Sequence, residues 1–147
     1  MRLAKTILIP TDFSAHADAA LDYAVALASK LDATVHVMNV VAPQLIGTEF
    51  GFPMTTSMMQ ELVQRQQDKL DQLIAARTGE ASFGPGLLET GDPRQQIEQV
   101  ALRIGADLIV MGTYGRRGVL RLLMGSVAEA VARIAPCPVL LIRDGVS

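Results

Sequence analysis

Short apolar runs alternate with helical patterns along this chain, and no other feature restricts its fold so strongly. Runs of β type occur at Lys5 to Pro10, Thr34 to Val41, around Leu87 to Glu89, Asp107 to Met111 and Pro138 to Arg143. Four helical patterns lie between and after them. The first follows Ser14, a candidate N-cap, and sets Leu21, Ala24, Val25, Ala28 and Leu31 on one face. The second covers about Thr55 to Arg77, with Leu62, Leu70, Leu73 and Ile74 inward and many glutamines outward. The third opens at Asp92-Pro93, an N-cap followed by proline at N1, and continues through Ile97, Val100, Ala101 and Ile104. The fourth is expected to begin at Ser126, because Ser126-Val127-Ala128-Glu129 has the capping-box form just before Val127, Ala130, Val131 and Ile134. Repetition of this kind predicts an α/β fold, an open five-stranded parallel sheet with helices on both faces. Right-handed crossovers leave few strand orders, of which 3-2-1-4-5 is expected, in a single domain over residues 1–147.

Size and charge narrow the partners. A chain of 147 residues buries roughly 70% of its unfolded surface, enough for one core. With 50% hydrophobic and 19% charged residues it is expected to be compact. A formal net charge of −2 and a pI near 5.6 provide no broad basic field, so nucleic acid is not an expected partner. The apolar stretch before Pro10 is too short for a signal peptide and no run is long enough for a membrane span, so cytoplasmic location is expected. Cys137, the single cysteine, lies between Pro136 and Pro138 and reads as a packing residue.

The segment Asp107 to Val127, DLIVMGTYGRRGVLRLLMGSV, carries the strongest chemical signal. An apolar run ends at Gly112; Gly115 follows after two residues, and Gly125-Ser126 after nine more. A strand leading into glycine-rich backbone and then a helix start exposes N–H donors able to wrap a phosphate chain. The segment has no lysine and no G-x-G, so neither the Walker nor the dinucleotide form fits. Arg116, Arg117 and Arg121 add positive charge. The same glycines also suit a plain surface loop, and Ser126 also suits a simple cap.

If the strand order is 3-2-1-4-5, the reversal lies between the first and fourth strands, and Pro10-Thr11-Asp12 meets Met111-Gly112 at their carboxyl ends. Asp12 then has two readings, a turn aspartate before a helix or a carboxylate that accepts from a ribose hydroxyl or holds Mg2+. His16 and His36 have no partner acid or metal-ligand spacing and read as structural. The Gly- and Pro-containing stretch Ala42 to Met54 reads as a flap or a surface insertion.

Taken together, ILIPTDFS, GDP, ADLIVMGTYGRRG and GSVAEAVARIAPCPVLLIR resemble the universal stress protein family over essentially the whole chain. The ATP-binding branch of that family carries G-x-x-G, nine residues, then G-[ST], which Gly112, Gly115, Gly125 and Ser126 match. The resemblance implies an ATP-binding stress-response regulator with slow or no hydrolysis. It places Pro10, Thr11 and Asp12 in the nucleoside pocket, with Asp12 at the ribose or Mg2+, and the backbone of Val40 at adenine. Met111, Gly112, Gly115, Gly125, Ser126 and Val127 would surround ribose and phosphates, with Arg116 beside them. It also implies a homodimer through the last strand, Val139 to Arg143. Tyr114 and Asn39 depart from residues common in the family. Two alternatives stand beside this reading: a dimerisation module of the same fold that binds no nucleotide, and an enzyme acting at the α-phosphate. The second would need a pyrophosphate-type loop or a catalytic histidine motif, neither of which occurs.

Overall fold

The computed structural model describes residues 3–42, 53–113 and 118–143, with 118–125 described by backbone alone. Among the described residues ten elements follow in order: β1 (Thr6–Pro10), α1 (Ala15–Leu31), β2 (Thr34–Val41), α2 (Thr56–Ala75), β3 (Ser82–Phe83), β4 (Leu87–Thr90), α3 (Pro93–Ile104), β5 (Leu108–Thr113), α4 (Gly118–Ile134) and β6 (Val139–Arg143). Tyr114, Gly115, Arg116, Arg117 and most of the 42–54 stretch lie outside the described residues.

Three helices start where side-chain chemistry places them. Ser14 Oγ accepts from the Ala17 N–H, Thr55 Oγ1 from the Met58 N–H, and Asp92 from the Arg94 N–H ahead of Pro93. α3 stops at Gly105, whose φ of 67° lets its N–H turn back to the Ala101 and Leu102 carbonyls.

Every pairing in the sheet is parallel. β1 lies between β2 and β5, and β6 flanks β5. The expected order is therefore found, with one difference: the strand beside β2 is divided, giving six strands rather than five. β3 pairs with Thr34 and Val35, whereas β4 pairs with Met38 to Val41 on the same edge. Gly84-Pro85-Gly86 separates the two pieces, since proline has no N–H for the ladder. The glycines fit tight surroundings, for a Cβ at Gly84 would stand 2.5 Å from His36 Nδ1 and one at Gly86 2.8 Å from Leu70 Cγ.

Strand alternation divides the core between the two faces. Ile7, Ile9, Val35, Val37 and Val110 pack against Leu21, Ala24, Val25 and Ala28 of α1 and Leu70 of α2. Leu8, Met38, Ile109 and Met111 pack against Ile97, Val100 and Ala101 of α3 and Ala128 and Val131 of α4. At the amino edge the Asp107 carboxylate accepts from the Lys5 and Thr6 N–H groups at 2.9 and 3.0 Å, fastening β5 to β1.

The start of α4 corrects the sequence reading. The helix begins at Gly118, so Ser126 lies inside it and is not its N-cap. Leu120, Arg121, Leu122, Leu123 and Met124 are strong helix formers, and five of them outweigh the local capping signal and the roughly 1 kcal/mol cost of Gly125. The inward face is set by Ala128 and Val131, while Ile134, expected inside, is 40% exposed.

Candidate functional site

In a parallel sheet all carboxyl ends open on one edge, and here that edge gathers most of the residues singled out from the sequence. β1 ends at Pro10, opposite Met38, and the Thr11 N–H still donates to the Met38 carbonyl at 2.8 Å. On its other side β1 pairs with β5 through Ile7–Leu108 and Leu8–Ile109. Beyond these positions β1 continues to Pro10 and β5 to Thr113 with no further pairing between them, so the strand ends part where the order reverses. Open α/β sheets hold ligands at such a parting.

Buried polar groups fix the turn after β1. Asn39, buried in β2, donates from Nδ2 to the Thr11 carbonyl at 2.8 Å, and Gln66 Nε2 of α2 stands 3.5 Å from its Oδ1. Thr11, also buried, accepts at Oγ1 from the Phe13 N–H at 3.0 Å, and Asp12 Oδ1 accepts from the Ser14 N–H at 3.0 Å. Two such side-chain turns in succession bend the chain so sharply that Phe13 has φ 66°, a conformation rare for an aromatic residue. Lys69 Nζ lies 5.6 Å from the centroid of the Phe13 ring. Asp12 thus fills the turn role, yet its carboxylate is exposed at the edge and accessible to a ligand.

Across the parting, Met111 and Gly112 of β5 are buried opposite Leu141 and Ile142 of β6. A Cβ on Gly112 would collide with the His16 carbonyl oxygen and stand 2.9 Å from its carbon. Gly112 therefore lets the first turn of α1 rest on β5, a packing role that the motif did not reveal. Val40, half-buried in β2 opposite Glu89, packs into the second core.

Ser126 and Val127 lie in α4, Ser126 exposed and Val127 half-buried, with Gly125 in the same helical backbone. Ser126 Oγ accepts from Arg94 Nη2 at 2.9 Å, joining α4 to the first turn of α3, directly beyond β4. This contact sets residue 126 level with the carboxyl edge, and the helix before it runs on roughly 12 Å from Gly118. Sequence reasoning missed Arg94 because its partner is 32 residues away. Gly115 and Arg116 fall outside the described residues.

Other titratable groups add little. Burial lowers the His36 pKa below 6.5, and burial followed by the charge of Asp107 raises that of Cys137. Cys137 packs into the second core, as a small apolar residue would. Among the described residues no group of three His, Cys, Asp or Glu could hold a metal. Asp12 presents a single exposed carboxylate at this edge.

The profile of the universal stress protein family matches residues 4–143. The chain belongs to that family. It is 35% identical over 144 residues to the universal stress protein MJ0531 of Methanocaldococcus jannaschii, covering 96% of this chain and 83% of that one. Among solved structures, the protein MJ0577 superposes with a TM-score of 0.81 at 26% identity, covering 97% and 98% of the two chains. Two universal stress proteins of the same fold were solved with nucleotides. One is in complex with cAMP (TM-score 0.66, 22% identity, covering 98% and 100%), and one, from Arabidopsis thaliana, has AMP bound (TM-score 0.66, 17% identity, covering 97% and 93%). Among the described residues no helix is long and apolar enough to cross a membrane.

Proposed function

We propose that this universal stress protein is a cytoplasmic ATP-binding regulator whose nucleotide occupies the carboxyl edge between β1 and β5. The observation carrying the reading is the parting of these strands at the order reversal, flanked by the fixed Thr11–Asp12 turn and Gly112. Adenine meets the backbone of Val40, and Pro10, Thr11 and Asp12 line the nucleoside. Met111, Gly112, Gly115, Arg116, Gly125, Ser126 and Val127 surround ribose and phosphates, and Asp12 reaches ribose or Mg2+. Family membership and the nucleotides held by proteins of this fold support the reading. Bound ATP stabilises one state of a homodimer by mass action. Hydrolysis is slow or absent, because Gly112 to Val127 contain no lysine and no evident base for an attacking water. Titration calorimetry of nucleotide-free protein with Mg-ATP should give saturable heat, and its absence refutes the proposal.

One observation favours the alternative of a dimerisation module without nucleotide. Ser126 inside α4 belongs to a helical backbone whose N–H groups bond within the helix, so they are not the open donors of a helix start. Mass spectrometry of denatured, freshly purified protein decides between the two: co-purified adenine nucleotide supports the ATP reading, and its absence supports the module.

A further inference from the structure

We infer that Arg94 is a specificity-determining residue of this site, which reads the phosphates of the nucleotide together with Ser126. The inference rests on the ATP reading above and adds a residue from a different helix, outside the glycine motif.

Three arginines have described side-chain partners, and they differ in kind. Arg77 bonds Asp22 at 2.5 Å, and Arg103 bonds Glu89 at 3.1 Å, each neutralised by a carboxylate. Among the described residues, Arg94 bonds only the neutral Ser126 hydroxyl, at 2.9 Å. Its own backbone is fixed, since the Arg94 N–H donates to Asp92 Oδ1 at 3.0 Å within the cap of α3. The guanidinium is thus exposed and positioned at the carboxyl edge, with no carboxylate partner among the described residues.

The chemistry of the pair selects an oxyanion. A guanidinium has five N–H donors, and the contact with Ser126 uses one. A serine that accepts from arginine still has its own O–H to donate. Arginine and serine donors converging at one place complement phosphate oxygens, to which a guanidinium bonds about twice as strongly as to a neutral acceptor. Arg94 thereby brings to Ser126 a cation from α3, outside the arginines of the segment Gly112 to Val127 itself. Arg94 therefore discriminates ATP from adenosine, and does not contribute to recognition of the base.

The test compares Mg-ATP and adenosine binding by calorimetry in the wild type, Arg94→Gln and Arg94→Lys. Arg94→Gln should weaken ATP by about 10- to 100-fold, the range for loss of one charge-assisted hydrogen bond, and leave adenosine unchanged. Arg94→Lys, which keeps the charge, should recover part of the ATP affinity, and the gap between wild type and Arg94→Gln should narrow at high salt. ATP binding by Arg94→Gln within about twofold of wild type overturns the inference while leaving the ATP reading intact. Equal weakening of ATP and adenosine also overturns it, because Arg94 would then only tether α3 to α4. A wild-type protein that binds neither ligand fails the ATP reading itself, and the inference with it.

Discussion

Gly112 has a double meaning at the scale of single residues. The sequence marks it as one glycine of a phosphate motif, whereas the fold also needs it bare so that the His16 carbonyl can approach β5. Gly112→Ala should therefore destabilise the nucleotide-free protein, by about 1–3 kcal/mol in urea unfolding, as overpacking does in a close-packed region. A variant as stable as wild type would show that α1 has room to move away. Asp12 was legible as a turn aspartate because the Asx turn is a local pattern. The Asn39–Thr11 bond and the Arg94–Ser126 bond span 28 and 32 residues, and no local rule reports such separations.

Among the elements, caps and periodicity located nearly everything. Ser14, Thr55 and Asp92 start their helices, and Thr34 to Val41 is a strand with the ends read from the sequence. Two features escaped. Gly84-Pro85-Gly86 divides an edge strand that a window of apolar residues reads as one short run, because parallel pairing to β2 can resume after the break. Ser126 carries a capping box, yet the helix formers before it extend α4 back to Gly118. That extension has a measurable consequence. With Gly125 in a helix interior, Gly125→Ala should stabilise the nucleotide-free protein by about 0.5–1 kcal/mol. In the proposed site the added methyl should obstruct phosphate approach, so Mg-ATP heat should fall in the same variant. A destabilised Gly125→Ala would place the start of the helix at Ser126 instead.

For the molecule as a whole, the topology was legible because strand–helix repetition and handedness leave few arrangements. Its described residues leave one sheet edge, β6, hydrogen-bonded to β5 alone, with Leu141 40% exposed along it. An apolar edge of this kind pairs readily with another chain, which is the basis of the proposed homodimer. Leu141→Lys should shift the protein to monomer in analytical ultracentrifugation with the fold retained. An unchanged dimer would move the interface elsewhere. The central claim is that an adenine nucleotide lies between the carboxyl ends of β1 and β5. Amide chemical shifts of isotope-labelled protein during titration with Mg-ATP test it most directly. Saturable changes at Thr11 to Phe13, Val40, Gly112, Ser126 and Val127 are predicted; saturation without changes at these positions, or no saturation, would contradict it.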